Sequence, residues 1–134
     1  MEAEEKMFKL IEYGNKVWDD GHLAEILKVM IELLQYCSAS QKSKSRLLVE
    51  LLYIHFLPTL MTIIHAKDSD LQLYSTRIMT FLCSEYICDK LYPIIESSNL
   101  VGLLFSLFED PTKVNNNQTV QLNLTSCLAN IIAD

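Results

Sequence analysis

The sequence predicts an all-α protein. Glycine and proline number three each in 134 residues, and because helix interiors tolerate neither residue well, the chain favours helices. Apolar residues recur at steps of three and four along most of the chain, whereas no segment shows the two-residue alternation typical of a strand. Half of the residues are apolar and 21% are charged, which is typical of one globular domain and excludes a disordered or collagen-like chain.

The amino-terminal part of the chain predicts two helices and a loop. Apolar side chains at helical spacing predict the first helix from Glu2 to Trp18, weakened around Gly14-Asn15. Asp20 is available to cap a second helix from His22 to Ser38. Residues 38–45 are small and polar and are predicted to form a loop.

The middle of the chain predicts three more helices. The run from Arg46 to Tyr53 is so uniformly apolar that we expect a short helix buried on all sides. Pro58 suits a first turn and predicts a helix from about Phe56 to His65. The segment Asp68-Ser69-Asp70 is expected to cap the next helix, Leu71 to Ser84. The apolar residues of that helix cover more than one face and predict packing on both sides.

The carboxy-terminal part predicts a further three helices. Tyr86 to Glu96 forms a short one, and Ser97-Ser98-Asn99 is expected to cap another from Leu100 to Phe108. Glu109 to Asn117 is predicted to be a polar loop before a last helix from about Gln118 to Ala133. In that last helix we expect six buried side chains: Leu122, Leu124, Cys127, Leu128, Ile131 and Ile132.

Similar segments recur along the chain. Residues 34–38, 80–84 and 129–133 look alike and begin 46 and then 49 residues apart, and residues 56–64 correspond to 100–108 at an offset of 44. A period in the forties, built from short, middle and long helices, is the signature of helical solenoids of the HEAT and armadillo kind. The sequence therefore predicts a right-handed α-solenoid in one domain, 1–134, with a partial repeat 2–38 and full repeats 46–84 and 86–134.

Two segments resemble the armadillo family. Residues Ile95–Leu104 look like the entry to its second helix, and Leu128–Ala133 is similar to the end of its third helix. The resemblance implies that Asn130 lines a concave groove and bonds the backbone of an extended peptide. The equivalent positions of the other two repeats hold Gln35 and Phe81.

The third-helix faces supply the candidate binding residues. Positions three and four residues back from the repeated position share one face of each helix. Tyrosine and arginine are enriched among the residues that dominate binding energy, although dense apolar residues around Tyr74 and Phe81 make burial in the core the simpler interpretation of those two. The candidate partner-binding residues are Tyr74, Arg77, Phe81, Asn123, Ser126 and Asn130, with Asp70 on the same face.

Neither the cysteines nor the histidines indicate catalysis or metal binding. Cys37, Cys83, Cys88 and Cys127 lie in apolar stretches without the close ligand pairs of a zinc site, and His22, His55 and His65 show no pattern of a nucleophile and its base. We therefore expect no enzyme activity, no cofactor and no metal.

Charge and hydropathy indicate the class of partner and the compartment. The net charge of −6 disfavours nucleic acid and would steer a basic partner. Because no stretch reads as a signal peptide or a membrane span, and because the cysteines read as reduced thiols, a cytoplasmic or nuclear protein is expected.

Together these observations predict a non-enzymatic interaction module, an adaptor or scaffold that binds another protein or peptide through its concave face or its exposed terminal helix. The last helix carries apolar residues to its end with no polar cap. The alternatives are therefore a homodimer through that helix, or the amino-terminal piece of a longer solenoid.

Overall fold

The helices of the protein follow the predicted order along the chain. The computed structural model describes residues 2–17, 19–40, 42–84 and 91–133. Within these ranges it contains α-helices and 3-10 turns but no strand, so the prediction of an all-α class is confirmed. The helices are α1 (Ala3–Lys16), α2 (Asp20–Ser40), α3 (Lys42–His55), α4 (Leu57–Ile63), α5 (Ser69–Leu82), α6 (Tyr92–Ser98), α7 (Leu100–Glu109), the 3-10 helix (Pro111–Val114) and α8 (Gln118–Ala133).

Helices α2, α5 and α8 lie side by side, and their two contacts are the most extensive between elements of the described structure. Helices α1 and α3 pack on α2 and on each other, while α7 packs against α8. The three segments that look alike in sequence, 34–38, 80–84 and 129–133, thus lie on or at the ends of these three neighbouring helices. As the sequence predicts, α5 is packed on both flanks.

The expected weakening of α1 at Gly14-Asn15 is wrong, because the helix runs unbroken through both residues. Gly14 is buried against the Phe56 ring, and a Cβ at this position would lie 2.8 Å from Cε1 of that ring. The Asn15 amide nitrogen donates to the His55 carbonyl at 3.0 Å, and the Thr59 hydroxyl donates to Asn15 Oδ1. These two residues therefore dock α1 on the corner between α3 and α4.

The predicted loop at 38–45 is also wrong for the residues that the structure describes. Helix α2 continues through Ser40, and α3 begins at Lys42. The Ser40 hydroxyl donates to the Tyr36 carbonyl at 2.7 Å, and Lys44 pairs at 2.6 Å with Glu2, the residue before α1. Small polar residues disfavour a helix only weakly, so this composition is compatible with the observed helices.

Helix α3 is covered on one face only, which corrects the expectation of burial on all sides. It packs against α1 and α2, so the opposite face meets solvent. Leu47 and Ile54 on that face are 44% and 51% exposed. The buried residues are Leu48, Val49, Leu52 and Tyr53.

The cap of α5 is confirmed, whereas the one expected for α7 works differently. The Asp68 carboxylate accepts from the backbone N–H groups of Asp70 and Leu71 at 2.9 and 3.0 Å. Asn99 makes no side-chain cap on α7 and instead adopts a left-handed backbone with φ of 57°, which ends α6. Of the predicted helix from Tyr86 to Glu96, residues 86–90 lie outside the described residues, and α6 begins at Tyr92 with Pro93 in its first turn.

The segment Glu109–Asn117 is not entirely a polar loop, because it contains the 3-10 helix. Val114 in that helix is fully buried, while Asn115 and Asn116 adopt left-handed conformations that asparagine tolerates well. Apolar contact and turn chemistry together therefore hold the connection between α7 and α8.

Helix α8 buries fewer residues than predicted. Leu124, Cys127 and Leu128 are buried, as expected, and Ile131 is half-buried. Leu122 and Ile132 are 66% and 67% exposed, so the expectation of their burial is wrong. They lie outside the stripe of α8 that α5 and α7 cover.

Candidate interaction surface

An open groove lies over the three neighbouring helices. It has a volume of about 460 Å³ and is lined from α2, α5 and α8. We call it the central groove. Its lining residues are Lys28, Ile31, Glu32 and Gln35 of α2, Leu73, Tyr74 and Arg77 of α5, and Thr119 and Asn123 of α8.

The central groove brings together three of the six candidate binding residues, Tyr74, Arg77 and Asn123. Phe81 lies beside them through its contact with Arg77. Ser126 is exposed and Asn130 half-buried further along α8, outside the lining of the groove. Tyr74 and Phe81 are packed against the core but only partly buried, so each side chain serves the core and still presents surface.

Arg77 is held in place by two neighbouring side chains of α5. Its guanidinium carbon lies 4.9 Å from the centre of the Phe81 ring, a cation–π contact, and Nη1 donates to the Thr80 hydroxyl at 3.2 Å. Among the residues described, no carboxylate forms an ion pair with it within 4.0 Å. Arg77 is exposed, so its charge is available to a ligand.

Asn123 connects α8 to α5. Its amide nitrogen donates to the Thr76 hydroxyl at 3.1 Å, and that hydroxyl in turn donates to the Gln72 carbonyl at 2.8 Å. Thr76 and Gln72 are buried, and within the described ranges no buried side-chain nitrogen or oxygen lacks a partner. Asn123 therefore both lines the groove and fixes one of its walls.

Sequence reasoning missed the residues that α2 contributes, above all Lys28 and Glu32, together with Leu73 and Thr119. A signal for α2 was present, because Gln35 occupies the repeated position and lines the groove. Stepping back from it by three or four residues, as for α5 and α8, reaches Glu32 and Lys28.

A second groove, between α1, α2 and α3, is larger, at about 540 Å³. We call it the amino-terminal groove. Val29 and Tyr36 on its wall are 44% and 67% exposed. At one end the Lys44 ammonium donates to Glu2, a hydrogen bond that lowers the pKa of this carboxyl. None of the predicted binding residues lies in this groove.

The described thiols are buried. Cys37, Cys83 and Cys127 are free and no more than 1% exposed. A hydrogen bond with Cys83, together with burial, raises the pKa of the Cys127 thiol. Burial likewise raises the pKa of Tyr53, whose hydroxyl donates to the Leu82 carbonyl at 2.6 Å. Because the thiolate is the reactive form, the Cys127 thiol is inert at neutral pH.

Comparisons with known proteins return no match: no protein-family model, curated protein or solved structure is significantly similar to this chain. Across the described ranges no three histidine, cysteine or acidic side chains converge to hold a metal ion. In the same ranges no single helix is both long and apolar enough to cross a membrane, and α3 and α4 reach that length only as a pair bent by 76°.

Proposed function

We propose that the chain is a non-enzymatic interaction module that binds a segment of another protein in the central groove. The observation that carries this proposal is the arginine held over an aromatic ring beside that groove, Arg77 on Phe81 at 4.9 Å. Arginine and tyrosine dominate many interfaces when they are held in place next to partly buried apolar surface. Tyr74 and Leu73 supply such surface in the same groove.

The architecture favours binding because the groove is assembled before the partner arrives. Its side chains lie on helices that pack through an apolar core, so little conformational entropy is lost on this side of the complex. An open groove running over three helices fits an extended segment better than a small molecule, which usually needs an enclosed cavity.

An armadillo-like solenoid of repeats 46–84 and 86–134, preceded by the partial repeat 2–38, belongs to the same proposal. What supports it is that the segments alike in sequence lie on α2, α5 and α8, which pack side by side. The buried free thiols Cys37, Cys83 and Cys127 support a reducing compartment, the cytoplasm or the nucleus.

Self-association through α8 is a second candidate function. Leu122 and Ile132 on α8 are 66% and 67% exposed, and Phe105 and Phe108 on the adjoining α7 are 37% and 46% exposed. Exposed apolar residues of this size support a contact with a copy of the chain or with further repeats of a longer solenoid.

Site-specific cross-linking distinguishes the two candidates. A photoreactive amino acid placed at Gln35 or Thr119 in the central groove is expected to capture a partner in the cells that express the protein. The same amino acid at Glu12 of α1, outside the groove, is the control, and Arg77→Glu is expected to abolish capture while lowering the melting temperature by no more than about 3 °C.

Two results would contradict the proposal that the partner binds in the central groove. Equal capture from Glu12 and from the groove positions would show that contact is not localised there. A concentration-dependent dimer in light scattering, cross-linked from Leu122 and unaffected by Arg77→Glu, would instead establish the self-associating module.

A further inference from the structure

The charge of the central groove is opposite to that of the chain. The protein has 17 acidic and 11 basic residues, yet the groove is lined by two cations, Lys28 and Arg77, and one carboxylate, Glu32. Salt screens exposed charges beyond about 8 Å at physiological ionic strength. A bound segment therefore responds to these three groups more than to the net charge of the chain.

The two cations of the groove, Lys28 and Arg77, form no ion pair with any other residue that the structure describes. Within the described part of the chain, no ion pair within 4.0 Å includes Lys28, Glu32 or Arg77. Lys28 and Glu32 share a face of α2 at a four-residue step but remain unpaired. The Arg77 guanidinium is already oriented by Phe81 and Thr80, so binding a carboxylate there requires little reordering of its side chain.

The remaining lining is mainly apolar or uncharged. Ile31 is 8% exposed, and Leu73 and Tyr74 are half-buried, which provides a place for an aliphatic side chain next to the cations. Resting on the proposed function, we infer that the central groove takes an extended protein segment with an aspartate or glutamate beside an aliphatic residue. A carboxylate bound by Arg77 and Lys28 and an aliphatic side chain against Leu73 and Ile31 would be the two anchors.

Glu32 distinguishes such a segment from a nucleic acid. A single strand carries a phosphate at every nucleotide and is held by rows of cations with aromatic stacking. Two cations interrupted by a carboxylate suit one or two acidic side chains, whereas a continuous polyanion would meet repulsion at Glu32.

The test is a selection from a display library of random twelve-residue segments on the full chain. Enriched segments are then synthesised with a fluorophore and titrated against wild type, Arg77→Glu and Lys9→Glu by anisotropy. Lys9 lies on α1 outside the central groove, so its reversal changes the net charge equally and serves as the matched control. Circular dichroism verifies that each variant is folded.

We expect enrichment of Asp or Glu next to Leu, Ile or Val. Arg77→Glu should weaken these segments at least about tenfold, and Lys9→Glu by less than about twofold. Replacing the acidic residue of the segment by its amide should reproduce the loss on wild type and have little further effect on Arg77→Glu.

The experiment distinguishes failure of this inference from failure of the proposed function. Segments that need Arg77 but show no acidic preference would overturn the inference and leave the proposed function standing. Tighter, Arg77-dependent binding of a twelve-nucleotide single strand would overturn both, since the partner would then be a nucleic acid. No enriched segment, or segments equally weakened by Lys9→Glu, would also overturn both.

Discussion

Replacing Gln72 with leucine tests whether buried hydrogen bonds connect the helices under the central groove. Gln72 is 1% exposed. Its amide nitrogen donates to the Lys113 carbonyl at 3.0 Å and, more weakly, to the Ile64 carbonyl at 3.4 Å, and its oxygen accepts from Asn115 Nδ2 at 3.1 Å. One side chain of α5 thus contacts the end of α4 and the segment before α8.

The expected loss of stability follows from what Gln72→Leu leaves behind. Leucine is of similar length and keeps the site filled, so little cavity is created. The Lys113 carbonyl, whose bond with Gln72 is partly buried, loses its amide donor. A fully buried group left unpaired costs about 1–3 kcal/mol, and the lower part of this range applies here. Asn115 loses less, since its amide also donates to the Lys67 carbonyl at 3.3 Å. We therefore expect the free energy of unfolding to fall by about 2 kcal/mol.

The assay is urea unfolding followed by far-ultraviolet circular dichroism, in a double-mutant cycle with Asn115→Gly. Glycine keeps the left-handed backbone at this position, where φ is 56°, and removes only the side chain. The interaction energy of Gln72 with Asn115 should be about 0.5–1.5 kcal/mol. A Gln72→Leu protein within about 0.5 kcal/mol of wild type, or two strictly additive changes, would refute the reasoning.

Three further predictions concern single side chains. Gly14→Ala should destabilise the protein by about 1 kcal/mol in urea unfolding. Alanine is the better helix former, but its Cβ would lie 2.8 Å from the fully buried Phe56 ring. Rescue is expected in a Phe56→Leu background, and a stabilised Gly14→Ala protein would contradict this prediction. Tyr53→Phe removes the buried hydrogen bond of 2.6 Å to the end of α5, which should cost about 1 kcal/mol in thermal unfolding; an unchanged melting temperature would show that the bond contributes nothing. Hydrogen bonds from the Thr112 hydroxyl and backbone N–H hold the pKa of Asp110 below its ordinary value of 3.8, so its contribution to stability is complete above that value and is lost as the pH falls through the lowered pKa. Acid unfolding of Asp110→Asn should accordingly depend less on pH below about 4 than that of wild type, and identical acid transitions would argue against it.

The helices were predictable because their signals are local. Sparse glycine and proline, apolar residues at helical spacing and the Asp68 cap are properties of short segments, and most predicted helices lie within a few residues of their observed bounds. The predicted loop at 38–45 is wrong because small polar residues have only a weak preference against a helix. The contact of Lys44 with Glu2 joins this segment to a residue 42 positions away, which no local pattern indicates.

Burial was less predictable, because hydropathy does not say which neighbour covers a face. Leu122 and Ile132 are as apolar as Leu124 and Leu128, but α5 and α7 cover only one stripe of α8. Buried polar residues such as Gln72 escape sequence reasoning for a related reason. The partners of Gln72, Lys113 and Asn115, lie 41 and 43 residues away in the sequence. No local sequence pattern therefore predicts these contacts.

The candidate site was predictable in part. The repeat selected candidate residues on one face of α5 and of α8, and the structure brings three of the six, Tyr74, Arg77 and Asn123, into one groove. The repeat alone does not indicate Lys28 and Glu32 of α2, because only Gln35 occupies the repeated position. These residues share its helix face at steps of three and four. The contact of Arg77 with Phe81 depends on side-chain conformation, which the spacing alone does not fix.

The hydrogen bonds from Asn123 to Thr76 and from Thr76 to Gln72 set the position of α8 along α5. Apolar burial is non-directional, whereas a hydrogen bond loses most of its strength when its geometry changes. A shift of α8 by one residue along α5 would break the Asn123 bond and leave the buried Thr76 hydroxyl without its donor. The bond between Asn123 and Thr76 therefore favours one register of α8 on α5, and the fold sets the spacing between the side chains that these helices present before any ligand arrives.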